Sequence, residues 1–271
     1  MGNIRVLYIG EIVSSPGVYC VKALLPKIKE EQKIDFIIAN GEGATGGFGL
    51  GKNHSIYLRK LGIDVITGGE CIYYKKDMVG YIEKAPFILR PANYPYDNPG
   101  RGWRVYIAGE RKIGVISLLG QYGFNRVYPE NPYKAAAKLI EKISKETNTI
   151  IIDYHAVATA EKITMSYIVN GKVSALIGSH TKVPTADERI LPGGTAVITD
   201  AGRTGPVNSV GGLDPDIEIN KFLTQIPELS RSKWGKLELQ GVVIEIDEKG
   251  KAQDIQRIKY QCVKEQEVTF V

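Results

Sequence analysis

The stretch Ile150-Ile151-Ile152-Asp153-Tyr154-His155-Ala156 is an apolar, β-branched strand that ends abruptly on ionisable side chains. In a sheet flanked by helices, ligands bind at the carboxyl ends of the strands, so the other strands should be read for similar endings. Ile4–Ile9 delivers Gly10-Glu11, and Asp35–Ala39 delivers Asn40-Gly41-Glu42-Gly43. Val65–Thr67 delivers Gly68-Gly69-Glu70-Cys71, and Ala175–Gly178 delivers Gly178-Ser179-His180-Thr181-Lys182. These strand ends together carry three glutamates, two of the three histidines, a thiol and a lysine. One glutamate after a strand usually caps the next helix, and one histidine is usually a hydrogen-bonded structural residue. Their recurrence at successive strand ends points instead to a metal or phosphate site.

Working outward, strands alternate with helices through the first half. Ser15-Pro16 reads as an N-cap with proline at the first helical position, opening a helix to about Glu30. Lys52–Leu61 reads as a second helix, Lys75–Glu83 as a third and Phe87–Leu89 as a short strand. Val105–Ala108 and Ile113–Leu118 form a hairpin around Gly109-Glu110; Pro132–Glu146 and Ala160–Val169 are helical, and Thr195–Thr199 is a strand. A final hairpin pairs Lys236–Ile246 with Ala252–Tyr260. Alternating βα units followed by antiparallel hairpins predict α/β architecture with mixed sheets and outer helices, in one domain over residues 1–271.

Composition excludes several classes. The charge of +5 is spread without a basic block, so the chain carries no strong nucleic-acid signal. No apolar run approaches the roughly 20 residues of a membrane span, and the first residues lack a signal-peptide pattern. Met1-Gly2 suggests myristoylation, but Val6 stands where that motif requires Ser or Thr. Cys20, Cys71 and Cys262 form no CxxC pair and suit a reducing cytoplasm. Gly46 to Lys52 matches GxxxxGK, but Asn53 replaces the Mg²⁺-holding hydroxyl residue, and the segment reads as a flexible loop beside the site. Gly10 to Gly17 lacks the GxGxxG of a dinucleotide fold, so no nucleotide cofactor is expected. His54 falls on the second helix and reads as structural.

Taken in order, GEIVSSPG (10–17), NGEGA (40–44), GGEC (68–71), RPANYP (90–95), DYHAVAT (153–159), GSHTKVPTAD (178–187) and TDAGRTGP (199–206) resemble one family. It is the bacterial branch of calcineurin-like metallophosphoesterases known as 2′,3′-cyclic-nucleotide 2′-phosphodiesterases. The resemblance implies two packed mixed β-sheets flanked by helices, a four-layer α-β-β-α sandwich. It further implies a binuclear metal centre, a small phosphoester or nucleotide ligand, and a tendency to homo-oligomers.

Against the family pattern, Glu11 replaces an Asp, Gly43 an Asn, Glu70 an Asn ligand, Cys71 the catalytic His, and Lys182 a His ligand. By resemblance, one metal half-site thus becomes Glu11, Glu42 and Lys182, and a protonated lysine cannot coordinate. Its ammonium is expected where the ion would sit, paired with the two glutamates. The other half-site keeps Glu42, Glu70, His155 and His180, a donor set suited to one Zn²⁺, Mn²⁺ or Fe²⁺. Cys71 and Lys182 stand at catalytic positions, and the thiol is a poor general acid. Two readings follow: a one-metal phosphodiesterase with weak or altered hydrolysis, or a catalytically silent relative binding a nucleotide or a protein.

Overall fold

The computed structural model describes residues 2–263. The chain opens with β1 (Ile4–Ile9), β2 (Glu11–Ile12), α1 (Ser14–Glu31) and β3 (Phe36–Asn40). It continues through α2 (Lys52–Lys60), β4 (Val65–Thr67), α3 (Lys76–Val79) and β5 (Ile88–Leu89). Next come β6 (Trp103–Ala108), β7 (Arg111–Leu119), α4 (Pro132–Ile143), β8 (Ile150–His155), α5 (Thr159–Val169) and β9 (Ala175–Ser179). The last elements are β10 (Arg189–Ile190), β11 (Ala196–Ile198), β12 (Arg203–Pro206), α6 (Pro215–Thr224), β13 (Lys236–Ile246) and β14 (Ala252–Val263).

Two mixed sheets result. One runs β2-β12-β13-β1-β3-β4-β5 with β14 also on β13, and the other runs β10-β11-β9-β8-β7-β6. In the first, β1 is parallel to β3 and antiparallel to β13, so the C-terminal hairpin extends the sheet begun by the first strand. In the second, β7, β8, β9 and β11 are parallel and β6 closes a hairpin with β7.

Strand periodicity assigns the layers. Val6, Tyr8, Phe36, Ile38, Ile113, Val115, Ile151, Ala175 and Ile177 form the core between the sheets. Their neighbours Leu7, Ile9, Ile37 and Ala39 face the layer of α1 and α2. Ile116, Leu118, Ile150, Ile152 and Tyr154 face that of α4 and α5. The four-layer expectation therefore holds, with strands buried on both faces between helices.

Local differences from the sequence reading have physical causes. Helix α1 starts at Ser14 with Val13 at its N-cap and no side-chain cap, not at Ser15-Pro16. Backbone contacts set that start: the Ser14 amide donates to Gly43 O and the Val13 amide to Thr204 O. The Lys75–Glu83 helix is broken into α3 and a 3₁₀ turn, Ile82–Lys84, on either side of Gly80. Helix α4 stops at Ile143 rather than Glu146, while its start has the anticipated chemistry: Pro132 in the first turn and Asn131 accepting from the Lys134 amide. Helix α6 was not anticipated, although Asp214-Pro215 is an N-cap and first-position pair; Asp214 accepts from the Asp216 amide. Among the described residues, no helix is long and apolar enough to cross a membrane.

Candidate metal and phosphoester site

The inter-sheet parity that places isoleucines in the core also places polar residues at its end. Continuing Val6-Tyr8, Ile38-Asn40, Val65-Thr67, Ile151-Asp153-His155 and Ile177-Ser179 by two residues at a time brings their polar members together. Asp153 accepts from the Thr67 hydroxyl, from Asn40 Nδ2 at 3.2 Å and from Ser179 Oγ at 2.8 Å. Burial raises its carboxyl, and the Thr67 hydrogen bond is the main opposing influence. Ser179 Oγ also receives Asn40 Nδ2 at 3.2 Å and lies 3.0 Å from His155 Nδ1. Because Ser179 spends its one proton on Asp153, it accepts from His155 Nδ1–H. That contact leaves His155 Nε2 facing the site.

Around Nε2 the ionisable groups converge. Glu70 Oε2 lies 2.8 Å away and His180 Nδ1 3.1 Å away, with His180 Nδ1 3.8 Å from Glu70 Oε1. Burial works against the His155 imidazolium, but Glu70, then Glu42 and Glu11, more than offset it and lift His155 to about 9. Burial also pushes the Glu70 carboxyl up, yet His155 pulls it down to about 2. Burial and the His155 charge hold His180 down to about 4, and its Nδ1 stands within hydrogen-bond distance of His155 Nε2. Phe124 walls this group, its ring centroid 6.2 Å from that of His155 and 5.3 Å from that of His180.

Glu42 sits one step further in. Its carboxylate accepts the amides of Gly69 and Cys71, and burial followed by the charge of Glu70 raises it to about 8. The Cys71 thiol is buried, and burial plus Glu42 push it far above the ordinary thiol range. Gly69 is required here, because a Cβ at that position would collide with the His155 ring.

On the opposite side, Lys182 Nζ lies 3.0 Å from Glu11 Oε1. Burial disfavours both charges; for Lys182 the Glu11 carboxylate more than compensates, while Glu11 remains raised despite Lys182. The loop that carries His180 and Lys182 is strained, with φ of 105° and 62° at those two residues. Such backbone costs about 1–3 kcal/mol per residue unless neighbours hold it. Asp200 does so from beneath: it accepts the Thr181 amide at 2.8 Å and the Gly202 amide at 2.9 Å, and pairs with buried Lys162 at 3.2 Å.

The donor atoms form two candidate metal-ligand groups. Glu70, His155 and His180 each offer an atom within 4.8 Å of the others, and Glu42, Glu70 and Cys71 form a second such group sharing Glu70. Tetrahedral ligands at about 2.0–2.1 Å from an ion stand about 3.4 Å apart, close to the observed contacts. The four ligands read from sequence thus lie in two overlapping groups, with Glu42 in the group of Glu70 and Cys71 and the two histidines in the other. Asn40, Thr67, Ser179, Asp200, Lys162 and Phe124 were missed by the sequence reading. Strand parity could have found Asn40, Thr67 and Ser179; nothing local marks Phe124.

His54, by contrast, hydrogen-bonds Thr45 Oγ1 at 2.8 Å. The loop at 46–51 is pinned by Glu42 O and Gly43 O, which accept the amides of Gly49 and Gly47.

Two helix-flanked mixed sheets with histidines and carboxylates at their strand ends define a metallophosphoesterase-type fold. Within it, the chain belongs to the YmdB-like protein family, whose model matches residues 7–258. It is 41% identical over 255 residues, covering 94% of this chain and 96% of the relative, to the 2′,3′-cyclic-nucleotide 2′-phosphodiesterase of Bacillus subtilis strain 168. A crystal structure of a novel phosphatase from Mycoplasma pneumoniae matches with a TM-score of 0.90 and 30% identity, covering 96% of this chain and 94% of the other. A crystal structure of a hypothetical protein from Thermus thermophilus matches with a TM-score of 0.88 and 30% identity, covering 95% of this chain and 99% of the other.

Proposed function

We propose that this chain is a one-metal phosphodiesterase-family protein that binds a phosphoester or nucleotide and hydrolyses it weakly. The observation that carries the reading is the asymmetry of the site. Glu70, His155 and His180 gather three donor atoms, whereas Lys182 and Glu11 close on each other at 3.0 Å. A divalent ion at the histidine side would acidify a bound water and polarise a phosphoryl oxygen. Lys182 contributes a fixed positive charge that can attract a phosphate oxygen without coordinating a second ion. Cys71 makes a poor proton donor to a leaving group, because its thiol is held far above neutrality. Losing a general acid typically costs about 10²–10⁴-fold. A cyclic phosphate, whose strain eases ring opening, is the substrate class that suffers least from that loss.

A second reading, a catalytically silent ligand-binding relative, is favoured by the Lys182–Glu11 pair itself, which satisfies both charges without any ion. Elemental analysis of protein purified without added metal separates the two. The one-metal reading expects close to one Zn, Mn or Fe per chain, lost in His155→Ala; metal-free protein that still binds nucleotide supports the silent relative.

A further inference from the structure

Beside Glu70 the surface opens into a cleft of about 370 Å³ lined by Tyr73, Tyr74, Tyr94, Asn98 and Tyr128. The four tyrosines divide into two kinds, since Tyr94 and Tyr73 belong to or pack against the core while Tyr74 and Tyr128 are exposed. Tyr73 and Tyr94 are fixed walls. Their rings stack with centroids 6.0 Å apart at 24°, Tyr73 Oη donates to Pro99 O at 2.5 Å, and Tyr94 Oη to Glu70 O at 3.4 Å. Tyr74 and Tyr128 are rims, 45% and 87% exposed, with apolar ring faces left in water. Exposed rings beside a small concavity are characteristic of a ligand site. Asn98 adds a carboxamide, whose two N–H donors and carbonyl acceptor can meet a flat polar edge.

The cleft meets the metal-ligating group through Glu70, which belongs to both. Its own lining includes no lysine or arginine, so it is unsuited to an anion, whereas the adjoining group suits a phosphoryl oxygen. We propose that this tyrosine cleft is the place where the base of a nucleotide ligand is held beside the neighbouring phosphoester site. The base would lie between the fixed Tyr73–Tyr94 wall and the Tyr74 and Tyr128 rims. Its phosphate would point past Glu70 toward His180 and Lys182. This assignment rests on the phosphoester reading for the phosphate, but not for the base.

Calorimetric titration of the full chain with adenosine, guanosine, cytidine, uridine, ribose 5-phosphate and orthophosphate tests it. At least one nucleoside is expected to bind at least tenfold more tightly than ribose 5-phosphate. Tyr74→Ala and Tyr128→Ala should each weaken that nucleoside about fivefold or more, the lower range for loss of a base–aromatic stack, with orthophosphate affinity unchanged. Both rims are exposed enough that these changes should leave folding intact, and Tyr74→Phe should retain binding. If no nucleoside outcompetes ribose 5-phosphate, or both alanine variants bind it like the parent, the base pocket is overturned. Nucleoside binding without any phosphate binding would instead sink the phosphoester reading and leave the pocket standing.

Discussion

Glu11 Oε1 accepts Lys182 Nζ at 3.0 Å, and the same oxygen lies 2.8 Å from where a Cβ on Gly43 would stand. The two relationships explain each other. A glutamate reaches one bond further than an aspartate, and the room for that reach exists because residue 43 has no side chain. We propose that Glu11, Gly43 and Lys182 act as one structural unit, in which a long acid meets a cation across space that a side chain at position 43 would otherwise occupy.

Removing the cation should expose the cost of that arrangement. In Lys182→Met, the Glu11 carboxylate is buried without a partner, which typically costs about 3–5 kcal/mol. Urea unfolding at neutral pH should register a loss of this order, and Glu11→Gln combined with Lys182→Met should recover most of it. The sign with pH is fixed. Glu11 has a raised folded pKa, so its charge destabilises increasingly as pH rises above the unfolded carboxyl range. The penalty in Lys182→Met should shrink toward acid. A loss below about 1 kcal/mol at neutrality would mean the pair is not holding Glu11.

The steric half of the same change predicts non-additivity. Gly43→Asn alone places a Cβ against Glu11, with Ile12 O at 3.1 Å and Gly47 O at 3.3 Å on the other sides. Overpacking of this kind costs about 1–3 kcal/mol. In a Glu11→Asp background the acid withdraws, and the cost of Gly43→Asn should fall by about 1 kcal/mol or more in a double-mutant cycle. Strict additivity would place the two residues out of contact.

Metal binding should be proton-linked. In the metal-free chain His155 is held protonated up to about 9 by Glu70, so an ion must displace its Nε2 proton. Affinity for Zn²⁺ should rise from pH 6.5 to about 9, and calorimetry in buffers of different ionisation enthalpy should show close to one proton released. Stability of the metal-free chain should move the other way. A histidine whose folded pKa is raised stabilises fully below 6.5 and loses that contribution as pH climbs through about 9. Glu42, raised to about 8, adds a loss of the same sign. His155→Gln should flatten the slope; an unchanged slope would show that Glu70 does not hold the proton.

The layered fold was legible because buried strands and capped helices leave local signals, as in the Ile150–Ile152 run and at Asn131-Pro132. The ionisable residues at strand ends were legible for the same reason, since Glu11, Glu70, His155 and His180 each follow an apolar run. What holds them was not. Asp200 reaches the Thr181 amide from a different strand end, and Phe124 reaches both histidines from a loop. Those relationships depend on how two sheets stack, which no single stretch encodes. The start of α1 shows the same limit, because the backbone contacts with Gly43 and Thr204 that fix it lie far along the chain.

Activity tests whether the site is damaged or put to another use. The chain should hydrolyse bis(p-nitrophenyl) phosphate and 2′,3′-cyclic nucleotides far below the roughly 1–10³ s⁻¹ common among enzymes. The expectation rests on two features of the proposed reading: Lys182 pairs with Glu11, and the Cys71 thiol holds its proton too tightly to be an effective donor near neutrality. The set Glu11→Asp, Gly43→Asn, Glu70→Asn, Cys71→His and Lys182→His should recover hydrolysis and bind two ions. Lys182→His alone should do much less, because groups that act as one catalytic unit are non-additive and Glu11 still crowds position 43. Steady-state rates with measured metal content decide the matter. Ordinary turnover by the unmodified chain would refute the impaired-site reading, whereas low activity abolished by His155→Ala would support the one-metal enzyme. A five-residue variant that binds two ions and remains inactive would place the divergence in the cleft around the metals rather than in their ligands, and binding rather than hydrolysis would then be the role to pursue.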